Sequence, residues 1–400
     1  MKILHTADWH LGKLVQGVYM TEDQRCILEQ LLAVIESERP DAVIIAGDLY
    51  DRAVPPTDAV QLLDEVLEKI VLGLKVPVLA IAGNHDSPAR LNFGNRIMRA
   101  SGLHLAGELT LPVHTVQLQD EYGPVHFHLV PYTEPGIVRF MTGNESVRSH
   151  HDAMRAITDR IREGMDPAAR HVLVGHAFVT PHGEAEPNTS DSERPLSIGG
   201  AEHVSAAHFQ GFHYTALGHL HQAHLVGREH IQYAGSPLKY SISEEHHKKG
   251  YLMIELDADG NVTVDKRQLI PRRDLRTVEG FISDLERHPV NEDYVFVRLL
   301  DQEVVTSPME RIRTVYPNAM HVERKPALDS MIGSPEASSV SGRAKMDGMS
   351  LFKAFYEEVT GMLPSEDTEE LLLETLREIA LEEGERHEAN QADDDGVRAV

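Results

Sequence analysis

From residue 44 the chain reads Ile44-Ile45-Ala46-Gly47-Asp48, an apolar strand that ends in a glycine and a carboxylate. The pattern returns at Ile81-Ala82-Gly83-Asn84-His85-Asp86, where an amide, an imidazole and a carboxylate follow the strand. A glycine at this point lets the backbone turn sharply, so the polar groups follow the carboxyl end of the strand. In open α/β sheets, ligands bind at that edge. The two stretches therefore predict a binding site at the carboxyl edge of a sheet.

Three further strand ends carry groups of the same kinds. They are Asp8-x-His10 after the first strand, His176 after Val172-Leu173-Val174-Gly175, and Gly218-His219-Leu220-His221 after Thr215-Ala216-Leu217. Seven such groups are too many for one metal ion and fit two divalent ions that share a bridging carboxylate. Carboxylate, amide and imidazole ligands without thiolate suit Mn²⁺, Fe or Zn²⁺ better than Ca²⁺ or an all-oxygen Mg²⁺ site. Six other histidines have no such context and are interpreted as surface or core groups: His203, His208, His213, His230, His246 and His247.

Strand and helix signals alternate through the first half of the chain. Strands are predicted at 2–6, 42–46, 77–82, 126–131, 171–174, 214–217, 231–241 and 250–256. A helix is predicted to begin near Thr21 with Gln24 completing a capping box, and an apolar stripe from Leu28 to Ile35 follows at helical spacing. Apolar strands between amphipathic helices predict an α/β fold whose sheets are covered by helices.

The sequence divides into five regions. They are a first domain at 1–262, a small α+β cap at 263–325, a Ser/Gly/Pro-rich flexible linker at 326–348, a helical tail at 349–390 and a disordered acidic end at 391–400. The apolar face of the tail helices comprises Leu351, Phe352, Phe355, Leu372, Leu376 and Ile379. Short helices on a linker are not stable alone, so this face either folds back on the other domains or docks on a partner.

Composition and charge limit the classes of protein. With 41% hydrophobic and 25% charged residues, the chain is expected to be globular rather than disordered. The formal net charge of −25 argues against broad coating of nucleic acid. Residues 356–400 alone carry −12, however, so acidity does not exclude a nucleic-acid substrate. There is no apolar run of membrane-spanning length or signal peptide, and Cys26 has no cysteine partner, so a soluble, cytoplasmic protein is expected.

The ligand motifs together resemble the calcineurin-like metallophosphoesterase superfamily. Within it, Asp8-Trp9-His10-Leu11-Gly12-Lys13 and Gly235-Ser236-Pro237-Leu238 resemble the bacterial SbcD nuclease family, as do Lys248-Lys249-Gly250 and Pro271-Arg272-Arg273-Asp274-Leu275-Arg276. The resemblance extends over residues 1–322. It implies a metallophosphoesterase sandwich of two β-sheets flanked by helices, with a small α+β capping domain and C-terminal helices.

The resemblance also assigns roles to residues. It implies that Asp8, His10, Asp48 and His221 hold one metal ion, and that Asp48, Asn84, His176 and His219 hold the other, so that Asp48 bridges. Manganese is the expected ion, with Mg²⁺, Fe and Zn²⁺ left open. His85 would be the general acid, with Asp86 as its orienting partner.

The substrate and partners follow from the same resemblance. It implies a 3′-to-5′ double-strand exonuclease and single-strand or hairpin endonuclease, acting in DNA double-strand-break and hairpin processing. It further implies a homodimer through the nuclease domain, an SbcC ATPase partner bound by the tail in a complex of two copies each, and a nucleoid-associated location in the cytoplasm. The region from Arg90 to Arg99 would contribute to the homodimer.

The candidates for DNA contact are basic side chains near the motifs: Lys13, Arg52, Arg90, Arg96, Arg99, Lys248 and Lys249. For each of them, a solvated surface charge is a more usual interpretation than a phosphate contact. Two other functions remain open, a small-molecule phosphodiesterase or phosphatase and a non-catalytic organising subunit. Protein phosphatases carry Gly after Asp-Arg and Glu after Asn-His, whereas this chain has Ala53 and Asp86, which weakens the phosphatase interpretation.

Overall fold

The computed structural model describes residues 1–183, 191, 193, 202–301 and 303–324, together with 352, 353, 356, 363–365, 368, 369 and 371. The strands are β1 (Lys2–Thr6), β2 (Leu14–Val15), β3 (Val18–Tyr19), β4 (Ala42–Ile45), β5 (Val78–Ile81), β6 (Leu103–Ala106), β7 (Thr115–Asp120), β8 (Gly123–Val130), β9 (Arg170–His176), β10 (Phe178–Thr180), β11 (His203–Ser205), β12 (Tyr214–Gly218), β13 (His224–Val226), β14 (Arg228–Tyr233), β15 (Gly250–Leu256), β16 (Val262–Gln268), β17 (Leu275–Gly280), β18 (Tyr294–Leu299) and β19 (Ala319–Arg324). The helices are α1 (Thr21–Glu38), α2 (Thr57–Glu68), α3 (Pro88–Asn92), α4 (Asn95–Met98), α5 (Pro135–Thr142), α6 (His150–Glu163), α7 (Ile282–Leu285) and α8 (Pro308–Arg313).

Two six-stranded sheets form the centre of the fold. The first has the strand order β16-β15-β1-β4-β5-β6 and the second the order β13-β14-β12-β9-β8-β7. Apolar side chains from both sheets pack together between them, among them Ile3, Ile44, Phe127 and Val172, which are fully buried. Burial of each such side chain contributes about 1.5–3 kcal/mol.

Helices cover the outer face of each sheet. The stripe of α1, including Leu28, Leu31 and Ile35, packs with α2 against the first sheet. Met154 and Ile157 of α6 belong to the cluster on the outer side of the second sheet. The expectation of two β-sheets flanked by helices is therefore confirmed.

The cap is a three-stranded sheet, β17-β18-β19, with α7 and α8. β17 and β18 are parallel, with Leu275 opposite Tyr294. Val295 and Val297 alternate with side chains on the other face and pack with Ile312 of α8 in a separate apolar cluster. The cap thus has a small core of its own.

Three local expectations are corrected by the structure. Helix α1 begins at Thr21, but no side chain caps it, and Gln24 bonds to another part of the chain. Residues 263–268, expected in the cap, lie in β16 and pair with β15 in the first sheet. The strand expected at 231–241 ends at Tyr233, because the chain turns at Gly235, whose φ of 72° lies in the left-handed region.

Contacts divide the chain into two compact units. The first comprises Met1–Leu299 and Val305–Glu323, and the second comprises Leu300–Val304 and Arg324–Val400. In the second unit, the Lys353 ammonium lies 2.7 Å from the Glu369 carboxylate. The expected linker and acidic end lie outside the described residues, as does most of the expected tail. In the described part of the chain, no helix is both long enough and apolar enough to cross a membrane.

Candidate metal centre

Five strand ends converge on one site because the two sheets face each other with their carboxyl edges together. Strands β1, β4 and β5 of the first sheet lead to Asp8, His10, Asp48 and Asn84, and β9 and β12 of the second lead to His176, His219 and His221. Ligand atoms of Asp8, His10 and His221 lie within 4.8 Å of one another, as do those of Asp8, Asp48 and His176. The structure thus brings together residues far apart in the sequence.

Glycines allow this close approach. A Cβ atom on Gly83 would overlap the Asp48 carboxylate, and one on Gly218 would overlap the carbonyl oxygen of Ala46. Both glycines precede a predicted ligand, so a larger side chain at either position would push two strand ends apart. Close packing of the strand ends therefore requires glycine at these two motif positions.

The first half of the centre is formed by His10, His221 and the Asp8 and Asp48 carboxylates. The Nε2 atoms of His10 and His221 are 3.0 Å apart, and His10 Nε2 lies 3.6 Å from Asp48 Oδ2. Two nitrogens bound at about 2.1 Å to one ion, at roughly right angles, would lie ~3 Å apart. The spacing of these two imidazoles therefore fits a shared divalent cation.

The second half is formed around His176. Its Nε2 atom lies 3.4 Å from Asp48 Oδ2 and 2.9 Å from Asn84 Oδ1, while its Nδ1 donates to the Ala46 carbonyl at 2.9 Å. The ring of His219 lies 5.4 Å from that of His176, measured between centroids. Asp48 faces histidines of both halves, which is the position a bridging ligand needs.

Burial and neighbouring charges shift the pKa values of several groups in the centre. Burial raises the pKa of Asp8 to about 7, despite the favourable fields of His176 and His221. Burial opposes the charged form of His176, but Asp48 and Asp8 outweigh it and raise its pKa to about 9. Burial holds the pKa values of His10 and His219 well below normal, so both rings are neutral and able to bind metal.

Backbone strain is concentrated at the same residues. Asp8, His10, Asp48 and His219 have positive φ angles of 54°, 46°, 51° and 109°. Such conformations cost about 1–3 kcal/mol each for residues with a side chain and persist where the surroundings enforce them. Here the enforcing bonds include His10 N to the Asp48 carbonyl at 2.9 Å and His219 N to Asp8 Oδ1 at 2.9 Å.

His85 lies beside the centre, with its ring 4.7 Å from that of His10 between centroids. Its backbone N–H donates to Asp48 Oδ1 at 2.9 Å, and its Nδ1 donates to the Asp51 carbonyl at 2.8 Å. Asp86 is not its orienting partner. The Asp86 carboxylate instead accepts backbone N–H groups of Leu49 and Gly83, and also that of Tyr50.

Two residues whose structural role the sequence did not indicate, Glu244 and Lys249, support His221. Its Nδ1 lies 3.0 Å from Glu244 Oε1, and the buried Glu244 pairs with the ammonium of Lys249. Lys249 also donates to the His221 carbonyl at 2.9 Å. A carboxylate on the second nitrogen fixes the tautomer and orientation of a ligating histidine. Only the nearby Lys248-Lys249-Gly250 motif pointed to this region, and it did not indicate the role.

Replacing Glu244 with glutamine tests this support. The change removes the charge that faces His221 Nδ1 and that compensates Lys249, so we expect Mn²⁺ affinity to fall about 10–100-fold. Calorimetric titration of the metal-free protein measures the affinity. Glu245→Gln is the matched control, because the Glu245 carboxylate accepts the backbone N–H of Thr277 at 2.8 Å and contacts no predicted ligand. Equal Mn²⁺ affinity in E244Q and wild type would contradict the role.

The basic candidates for DNA contact differ in how exposed their side chains are. Arg52, Arg90, Arg96 and Lys248 are exposed, while Lys13 and Arg99 are partly buried. Lys13 lies 2.8 Å from the Asp51 carboxylate. Lys249 is a correction, because its ammonium is buried and paired with Glu244 and so cannot reach a phosphate.

The tail candidates for partner binding fall largely outside the described residues. Leu351, Phe355, Leu372, Leu376 and Ile379 lie there. Phe352 is described, and its ring packs 5.6 Å from that of Tyr356 between centroids.

Fold and site together define a calcineurin-like phosphoesterase, and the model of that family matches residues 1–223. A second family model, described as the Type 5 capsule protein repressor C-terminal domain, matches residues 271–360. The chain is also 33% identical over 366 residues to the SbcD subunit of the nuclease SbcCD from Staphylococcus epidermidis, a match that covers 90% of this chain and 94% of that protein. The chain therefore belongs to the SbcD family. The predicted family and the predicted class, a metal-dependent phosphodiesterase, are confirmed.

The solved structures that match the chain are more distant. A dimetal phosphatase from Danio rerio has a TM-score of 0.39 and 14% identity, covering 68% of this chain and 97% of that chain. The protein TT1561 of Thermus thermophilus has a TM-score of 0.36 and 14% identity, covering 66% of this chain and 97% of that chain. The family assignment rests on the sequence matches alone.

Proposed function

We propose that the chain is a two-metal DNA nuclease, the SbcD subunit of an SbcC–SbcD complex in the bacterial cytoplasm at the nucleoid. Its reactions are 3′-to-5′ double-strand exonuclease and single-strand or hairpin endonuclease cleavage, in the processing of DNA double-strand breaks and hairpins. One observation carries the proposal, namely that the seven predicted ligands and His85 lie together at the carboxyl edges of the two sheets, in a chain of the SbcD family. A non-catalytic subunit would not require that complete set.

Asp8, His10, Asp48 and His221 would hold one ion, and Asp48, Asn84, His176 and His219 the other. When bound, two divalent cations neutralise the oxygens of a phosphodiester and activate a water molecule for in-line attack. Asn84 is a neutral ligand, so it leaves the second site with more positive charge than a carboxylate would. The donor set of carboxylate, amide and imidazole favours Mn²⁺.

His85 supplies the proton for the departing oxygen. Because Nδ1 donates to the Asp51 carbonyl, proton transfer to the leaving group takes place at Nε2. The alkoxide of a deoxyribose is a poor leaving group, so a proton donated there lowers the barrier most. The Asp51 carbonyl thereby fixes both the ring orientation and the reactive nitrogen.

The function is tested by incubating the purified chain with labelled linear duplex DNA, single-stranded DNA and a phosphomonoester in Mn²⁺, with EDTA as the blank. DNA cleavage that requires Mn²⁺, with little monoester turnover, is expected. The variant Asp48→Ala, purified identically, controls for contaminating nucleases. Strong turnover of the phosphomonoester, with the DNA left intact, would contradict the proposal and indicate that the chain hydrolyses small molecules.

The proposed homodimer is supported by exposed apolar side chains of the nuclease domain. Phe93 and Ile97, in the segment from Arg90 to Arg99, are 82% and 81% exposed. Exposed apolar patches of this kind are typical of protein interfaces. Light scattering should give twice the chain mass of 44.6 kDa, and a monomer at all concentrations would contradict the dimer.

The tail is proposed to bind the SbcC ATPase in a complex of two SbcC and two SbcD chains. Deletion of residues 350–400 should leave basal DNA cleavage intact, because no predicted metal ligand lies there. The same deletion should abolish the stimulation of cleavage by SbcC and ATP, measured by adding purified SbcC to the DNA assay. Full stimulation of the truncated chain would contradict the docking role.

A further inference from the structure

The side chain of Gln24 bonds to the loop that carries the first predicted metal ligands. It is buried, with 1% of its surface exposed. Its Oε1 accepts the backbone N–H of Gly12 at 3.1 Å, and its Nε2 donates to the carbonyls of His10 at 2.8 Å and Trp9 at 3.2 Å. Nε2 also lies 3.1 Å from the hydroxyl of Tyr240, which itself donates to the Trp9 carbonyl. One amide thus bonds to the backbone of three residues of this loop, Trp9, His10 and Gly12.

The loop needs such support because its backbone is strained. Asp8 and His10 both occupy the left-handed region, at φ angles of 54° and 46°. Their backbone N–H groups are fixed by the carbonyls of Gly47 and Asp48 at 3.0 and 2.9 Å. The carbonyls on the other side of the loop are fixed by Gln24. If Gln24 is lost, the buried carbonyls lose a donor and the backbone strain at Asp8 and His10 favours relaxation of the loop.

The neighbouring residue, Asp23, bonds to the cap. It is 1% exposed, and its Oδ2 accepts the hydroxyl of Tyr294 at 2.7 Å and lies 3.4 Å from the guanidinium of Arg273. Asp23 and Gln24 are consecutive in the first turn of α1, with side chains that reach different partners. The first turn of α1 therefore connects β18 of the cap to the His10 loop.

We propose that Gln24 is a positioning residue of the metal centre and that Asp23 makes its position depend on the cap. Gln24 keeps the backbone of residues 9–12 in the strained form in which His10 Nε2 faces His221 Nε2. The Tyr294–Asp23 hydrogen bond fixes the first turn of α1, and so the direction from which Gln24 reaches the loop. The inference rests on the proposed metal centre, which it extends to residues outside the ligand motifs.

The test is a calorimetric Mn²⁺ titration of the full-length, EDTA-stripped chain without DNA. Gln24→Met keeps the length of the side chain and removes its hydrogen bonds, so one of the two sites should bind Mn²⁺ about 10–100-fold more weakly. Gln24→Glu keeps an acceptor and removes the donors, and should weaken the same site. Two sites of wild-type affinity in both variants would overturn the proposal.

Gln30→Met is the matched control. Gln30 is also on α1. Its amide donates to the Ile270 carbonyl at 2.7 Å and accepts the Ile270 N–H at 3.1 Å. Ile270 is not part of any predicted ligand motif. The Mn²⁺ affinities of Q30M should equal those of the wild type, while the melting temperature in EDTA shows whether each variant is folded. An equal loss of Mn²⁺ affinity in Q30M would assign the effect to general destabilisation and overturn the positioning role.

The connection to the cap has its own variant. Tyr294→Phe removes the hydroxyl that donates to Asp23 and touches no predicted ligand, so the same site should weaken by a smaller factor. Tyr316→Phe is the control, because that hydroxyl bonds to His288 at 2.6 Å within the cap. Unchanged Mn²⁺ binding in Y294F would overturn the connection. Because these titrations contain no DNA, a chain that binds two ions and cleaves nothing would contradict the proposed function alone.

Discussion

Asp48→Ala is expected to abolish binding of both metal ions and, with them, all DNA cleavage. The Asp48 carboxylate faces His10 Nε2 at 3.6 Å and His176 Nε2 at 3.4 Å, so it is positioned to serve both halves of the centre. The Asp48 carboxylate also accepts the backbone N–H of His85. Its loss therefore removes a hydrogen bond that holds the loop carrying the proposed acid. Loss of a shared ligand should weaken metal binding by more than the roughly 10–100-fold expected when a hydrogen-bond partner of a ligand is lost.

The measurement is the metal content of the dialysed protein by mass spectrometry, together with cleavage of labelled duplex DNA in Mn²⁺. Asp64→Ala is the control, since Asp64 is an exposed carboxylate of α2. Retention of two ions per chain by D48A would refute the bridging assignment. Loss of one ion with the other retained would assign Asp48 to a single site.

The convergence of the candidate ligands could be predicted from the sequence because each lies at the carboxyl end of a buried strand. A fully apolar run such as Val43 to Ala46, followed by glycine and aspartate, specifies both the strand and the edge at which it ends. The carboxyl ends of the parallel strands β1, β4 and β5 lie at one edge of the first sheet whatever the details of the loops. Local sequence was therefore sufficient for these positions.

The supporting residues could not be predicted because their partners are distant in the sequence. Gln24 fits a capping box locally, but no side chain caps the helix, and the Gln24 amide donates to the His10 carbonyl instead. Lys248 and Lys249 are adjacent and alike in sequence, yet only Lys249 lies next to the buried carboxylate of Glu244. A buried charge needs a partner, so the position of Glu244 decides which lysine is internal.

The same reasoning applies to Asp86. In sequence it directly follows His85 and is the nearest carboxylate to the proposed acid. In the structure its oxygens accept three backbone N–H groups and join the Asp48 loop to the Gly83 turn. The group that orients His85 is a backbone carbonyl, that of Asp51, which no motif based on side chains reveals.

His85→Ala is expected to lower kcat for DNA cleavage by about 10²–10⁴-fold while two Mn²⁺ ions remain bound. The His85 side chain is outside the predicted ligand set, and the bond from its backbone N–H to Asp48 does not depend on the side chain. Metal occupancy should therefore be unchanged. Single-turnover cleavage of duplex DNA at saturating enzyme measures the chemical step. His246→Ala is the control, because the His246 side chain is 91% exposed and pairs only loosely, at 3.6 Å, with Glu245.

The leaving group distinguishes a proton donor from a residue that only positions the phosphate. A nitrophenyl ester of a nucleotide expels an anion that is stable without a proton, so a general acid gains little there. We expect the loss of rate in H85A to be much smaller on this ester than on DNA. An equal loss on both substrates would exclude proton donation by His85 and assign it to binding. Loss of metal in H85A would instead place the ring among the ligands, next to His10, whose ring lies 4.7 Å away between centroids.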